Sequence, residues 1–171
     1  MIAAAGTGPA DASAPVATAA ERRACAERIE AWIAERLADG QLVLDAGRDP
    51  DPHAERWYVR LRGADKDVVT VWLTLRQRTV HHDTQLMPAP ETAREETFAY
   101  LLRRNAALPG MRFALAAEDA VHLVGEMPIA RVDADELDRI VGGSLAAVDD
   151  CWDTAMSLGY AGTYRRRRVR R

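Results

Sequence analysis

Two adjacent histidines with an aspartate behind them, His81-His82-Asp83, are the residues of this chain whose types most readily suggest chemistry. Imidazole and carboxylate side chains can hold a metal ion or move a proton. They lie in the stretch RQRTVHHDTQLMPAPE, Arg76 to Glu91, which contains two of the four histidines. The spacing works against a shared site. On a strand, successive side chains leave opposite faces, so His81 and His82 separate and only His81 and Asp83 stand together. A zinc ion wants three or four ligands. His122 belongs to another segment and His53 to a proline-rich loop, and neither has a ligand-type neighbour at motif spacing. The expectation is no metal, no cofactor and no catalytic residue. One alternative is kept open: a small-ligand receptor or an enzyme using the face of His81 and Asp83.

Other candidates are weaker. Ser144 in VGGSLAA is glycine-flanked like a nucleophile elbow, but that motif requires a preceding strand and a glycine two residues later, where this chain has Ala146. The surroundings have helical periodicity, and two glycines cost about 2 kcal/mol of helix propensity relative to alanine. Close packing is the expected role of Gly142, Gly143 and Ser144. No phosphate loop is present. Carboxylate pairs such as Asp149-Asp150 and Glu95-Glu96 fall on solvent faces of expected helices, with no carboxylate isolated in an apolar setting. Cys25 and Cys151 lie on helix stripes and read as small core residues. Two distant cysteines make neither a disulfide framework nor a zinc pattern, which fits a reduced, cytoplasmic compartment.

The elements that would position these groups follow from periodicity. Cys25, Ile29, Ile33 and Leu37 recur every four residues, with Trp32 beside them and Gly40 as a stop. Short strands come next. RWYVRLRG places Trp57, Val59 and Leu61 on one face, and DVVTVWLTLRQ does the same with Val69, Val71, Leu73 and Leu75. The His-His-Asp stretch is the fourth strand, closed by MPAP because proline cannot donate to a ladder. Thr92 and Glu95 have capping-box spacing ahead of a helix with Phe98, Leu101, Leu102 and Leu108 on its buried side. A hairpin around Glu118-Asp119 follows. Asp133 then caps a long helix whose core face carries Leu137, Ile140, Val141, Val148, Trp152 and Ala155. Short links imply antiparallel pairing. The fold class is α+β: an antiparallel sheet of about six strands with helices packed on it, in the order α-β-β-β-β-α-β-β-α.

Length and charge set the boundaries. A chain of 171 residues with 48% hydrophobic content suits one domain with tails. Residues 1–20 are small and soft and are expected to be disordered, without the pattern of a signal peptide. Residues 21–160 form the folded domain, and 161–171 a basic disordered tail. No apolar run approaches membrane-helix length, so no membrane insertion is expected. Six of the 23 Lys and Arg residues sit in the last seven positions, leaving 17 against 26 acids elsewhere, a formal −9 for the body. Such a body repels phosphates, which disfavours nucleic acid as a partner. The tail residues Arg165, Arg166, Arg167, Arg168, Arg170 and Arg171 could make electrostatic contact with an acidic surface. If all six met DNA phosphates, log K would fall with log salt at a slope of about −5.

Longer stretches carry a resemblance. YVRLRGADKDVVTVWLTLRQRTV, MPAPE, LLRRNAALPGMRFALAAEDAVHLVGEMPIARVDADELDRIVGG and MSLGY are similar to the YbjN family of actinobacterial type, also called bacterial sensory transduction regulators. The similarity runs from Trp57 to Tyr160. It implies a type III secretion chaperone-like fold and a non-enzymatic protein-interaction module, a regulator or chaperone-like homodimer with a protein partner. It brings no catalytic motif to carry over.

Overall fold

The computed structural model of the protein describes residues 16–165 apart from residue 52. Helix α1 (Ala19–Asp39) is followed by β1 (Val43–Arg48), β2 (Arg56–Arg62), β3 (Val68–Leu75) and β4 (Thr79–Met87). Then come α2 (Arg94–Arg104), β5 (Met111–Leu115), β6 (Val121–Pro128) and α3 (Ala134–Gly159). The expected element order holds. All strands join one antiparallel sheet in the order β1-β2-β3-β4-β6-β5. The last hairpin therefore inserts β6 beside β4 and leaves β5 at the edge.

Alternation decides which face is covered. Trp57, Val59 and Leu61, Val69, Val71, Leu73 and Leu75, and Val121, Leu123 and Met127 are all buried. They meet Cys25, Ile29, Trp32 and Ile33 of α1 and Leu137, Ile140, Val141 and Val148 of α3 in one core. The helices thus lie on the same side, and the other face of the sheet is left without a helical layer. Arg36 and the Trp32 indole both reach Asp138, at 2.6–2.9 Å, tying α1 to α3.

The ends of the helices differ in part from expectation. Thr18 caps α1 by accepting from Glu21 N while Glu21 reaches back, so α1 begins at Ala19. Gly40 closes α1 in the left-handed conformation with φ 63°, which glycine adopts without a side-chain clash. Asp133 caps α3 as expected. Thr92 does not cap α2. Its hydroxyl donates to Leu158 O at 2.8 Å, and the Glu91 and Thr92 amides both donate to Gly159 O at 2.9 Å. This segment closes the C-terminus of α3, leaving α2 with Ala93 at its start and no side-chain cap. On α2, Leu101 is buried but Leu102 is 66% exposed, because neighbours on a helix are about 100° apart. At the other end, Tyr164 donates to Asp153 and meets Trp152 edge-on. Residues 1–15 of the expected N-terminal segment, and Arg166, Arg167, Arg168, Arg170 and Arg171 of the tail, lie outside the described residues.

Two glycines separate tight packing from open space. A Cβ on Gly125 of β6 would stand 2.5 Å from Gly110 O and 2.3 Å from His82 Nε2, whereas one on Gly142 of α3 would meet nothing within 4 Å. Gly125→Ala is expected to cost about 1–3 kcal/mol, the range for overpacking. Gly142→Ala is expected to gain about 1 kcal/mol of helix propensity. Urea unfolding of both variants checks the contrast, and equal midpoints would contradict it.

Candidate functional site

Strand β4 carries the residues that drew attention in the sequence. His82 faces the helices and is 1% exposed, while His81 and Asp83 face the open side. His82 stands opposite Gly125 in the β4–β6 ladder, and its ring fills the space the missing side chain leaves. Its Nδ1 is buried without a hydrogen bond. Burial, with smaller contributions from His81 and Arg139, lowers the His82 pKa to about 4. This histidine is a neutral core residue at neutral pH.

The open side gathers a different set. The register puts Glu126 opposite His81, Val124 opposite Asp83, and Arg112 of β5 opposite Val124. His122 lies one step along β6, and its Nδ1 stands 2.6 Å from Asp83 Oδ1. Arg76 closes one end of this trough and Ala116 the other, around a depression of about 190 Å³. His81 Nδ1 and Glu126 Oε2 are buried there without hydrogen-bond partners. Burial lowers the His81 pKa, helped by Arg76 and opposed by Asp83 and Glu126.

His81 and Asp83 thus share a face, as the strand reading required, and both line this depression. Local spacing missed Arg76, Arg112, His122 and Glu126, because three of these four arrive through β5 and β6, whose position beside β4 is not written in local periodicity. Among the described residues, no group of three or more His, Cys, Asp or Glu side chains could hold a metal ion. Ser144 is buried in α3 with its hydroxyl 3.7 Å from Met111 Sδ, and Gly143 packs against the same methionine. That is a packing role. Cys25 and Cys151 are buried free thiols. Of the six tail arginines, Arg165 is described and exposed.

A second concave surface is apolar. Phe98, Leu101 and Leu102 of α2 line a groove of about 100 Å³ with Phe113 and Leu115 of β5 and Val121. Leu102 and Leu115, 66% and 52% exposed, form its rim. The outer edge of β5 is not bare, since Asn105 accepts from Phe113 N at 2.7 Å and donates to Phe113 O at 3.2 Å. No helix among the described residues is long and apolar enough to cross a membrane.

A family model described as "Putative bacterial sensory transduction regulator", YbjN, matches residues 26–155. This chain belongs to the YbjN family. Its relatives include an uncharacterised protein of Mycobacterium tuberculosis, 32% identical over 138 residues, covering 81% of this chain and 75% of the relative. Among solved structures, the YbjN fold seen here is similar to a chain of the heterodimeric ExoU-SpcU complex from the type III secretion system of Pseudomonas aeruginosa. That likeness has TM-score 0.50 and 15% identity and covers 74% of this chain and 98% of that one. The Yersinia pestis type III secretion chaperone SycH, in complex with a fragment of YscM2, is similar at TM-score 0.49 and 13% identity, over 74% and 98%. The expected family and fold class are both found. The likeness to the secretion proteins concerns the fold.

The lowered His82 pKa has a consequence for stability. Above pH 6.5 neither the folded nor the unfolded chain protonates this ring, and its full contribution is present. As pH falls from 6.5 to about 4 the unfolded chain takes up a proton that the folded core refuses. Stability should therefore fall by about 1.4 kcal/mol per pH unit, ~3 kcal/mol over the window. In His82→Gln, whose side chain stays neutral, most of that slope should vanish in urea unfolding between pH 7 and 4. An unchanged slope would contradict the buried neutral histidine.

Proposed function

We propose that this protein is a non-enzymatic protein-interaction module that works in the cytoplasm as a homodimer and presents its surfaces to a protein partner. The observation that carries this reading is the apolar groove between α2 and β5, with Leu102 and Leu115 on its rim. Large exposed apolar side chains beside a groove mark association surfaces.

A second copy is the occupant best matched to the groove. The first turn of α2 carries Glu95 and Glu96, and the last turn carries Arg103 and Arg104. An isologous two-fold contact whose axis runs perpendicular to α2 sets it antiparallel to its partner, bringing the acidic end of one against the basic end of the other. Asn105 occupies the middle of the β5 edge, which disfavours sheet extension and favours side-chain contact. The opposite edge is less suited. There β1 is irregular between Val43 and Asp45, and Arg60–Asp45 and Arg48–Glu30 pairs flank it. The partner protein would then have the open sheet face, where Arg56 lies 3.7 Å over the Trp72 ring and Tyr58 packs against Trp72. Arginine and aromatic residues are enriched among energetically dominant contact residues. Arginine-tail docking to an acidic surface is a secondary reading, supported by charge alone.

Sedimentation at micromolar protein should give a dimer. The double variant Leu102→Asp with Leu115→Asp should weaken the dimer at least about tenfold. Both side chains are largely exposed, so folding should be little affected. A monomeric wild type, or a variant that dimerises as well as wild type, would contradict the reading.

A further inference from the structure

The polar trough on the open face contains features that docking through the α2–β5 groove does not use. Arg112 and Arg76 line it, and neither has a carboxylate partner among the described residues. Glu126 lines it too, with Oε2 buried and unbonded, beside His81 with Nδ1 buried and unbonded. Buried polar groups without partners are uncommon in folded proteins, and each is costly to maintain. One wall is held in place, since the Asp83 carboxylate is engaged by His122. The free groups are therefore two cations, one carboxylate oxygen and one neutral imidazole nitrogen. The imidazole is neutral because burial and the Arg76 charge disfavour its protonated form.

We propose that this trough binds a small zwitterion of the free amino acid class, its carboxylate met by Arg112 and Arg76 and its ammonium by Glu126. The carboxylate of the ligand matches the two guanidinium groups and its ammonium matches Glu126, groups that do not pair with one another in the structure. Guanidinium groups suit a carboxylate because their paired N–H donors match its two oxygens. A peptide terminus offers only one of the two charges on its end residue, so the arrangement favours the free molecule. Apolar side chains of the ligand would lie toward Val124, Ala114 and Leu115, which complete the lining. The charged groups of this site lie outside the apolar groove, with which it shares Ala114 and Leu115 at its margin.

The test is an NMR amide titration of the full-length chain with glycine, alanine, glutamate and lysine. N-acetylglycine supplies the carboxylate alone, and glycinamide the amine alone. At least one amino acid should shift the amides of His81, Asp83, Arg112, His122 and Glu126 saturably. The single-charge analogues of glycine should bind about tenfold more weakly than glycine itself if glycine is the ligand, and Arg112→Gln and Glu126→Gln should each weaken binding by about tenfold or more. Both positions lie on the open face, and a dispersed spectrum of each variant establishes that it is folded. No saturable shift with any of the four amino acids would overturn the proposal. So would equal binding of N-acetylglycine and glycine, which would mark a simple anion site, or binding unaffected by both substitutions.

Discussion

A six-stranded sheet has two faces, and this chain lays its helices on one of them. The covering is enforced by period-two alternation through β2, β3, β4 and β6, which sends most large aliphatic side chains to the same side, Val68 and Val124 excepted. A register slip of one residue in β4 would turn His81 and Asp83 into the core and bring His82 out. The desolvation of two polar groups would oppose it. The buried position of His82 is in turn possible because Gly125, directly across the ladder, has no side chain to compete for the same volume. The division between a dry face and an open face organises everything else about the molecule.

Much of this was legible in the residues themselves. Alternation placed Trp57, Val59, Leu61 and their counterparts correctly, and Asp133 announced the start of α3. Separation of His81 from His82 followed from strand geometry alone. What escaped local reading was non-local. Thr92 has the spacing of a cap for α2, yet its hydroxyl serves the end of α3, and only tertiary structure brings those ends together. Leu102 sits in an apolar run, but a helix cannot turn both Leu101 and Leu102 inward. The pairing of Asp83 with His122 needed β6 beside β4, an arrangement in which the later hairpin strand sits inside and the earlier one outside.

The same topology separates two kinds of surface. Strand β5, on the edge, shares its side chains between them. Phe113 turns toward the apolar groove under α2, and Arg112 turns toward the polar trough. Asn105 holds the strand edge itself, using both hydrogen-bonding groups of its amide on Phe113. A groove for another chain and a trough for a small ligand can therefore coexist about a single short strand, meeting at Ala114 and Leu115 and otherwise using its opposite faces.

The most direct measurement of the account is amide hydrogen exchange on the full-length chain, compared between dilute and concentrated protein. If α2 and β5 form the contact between copies, protection should rise with concentration across Phe98 to Leu102 and around Leu115, while β1 and the trough residues His81 and Glu126 exchange as before. Protection that is independent of concentration, or that rises along β1 instead, would contradict it.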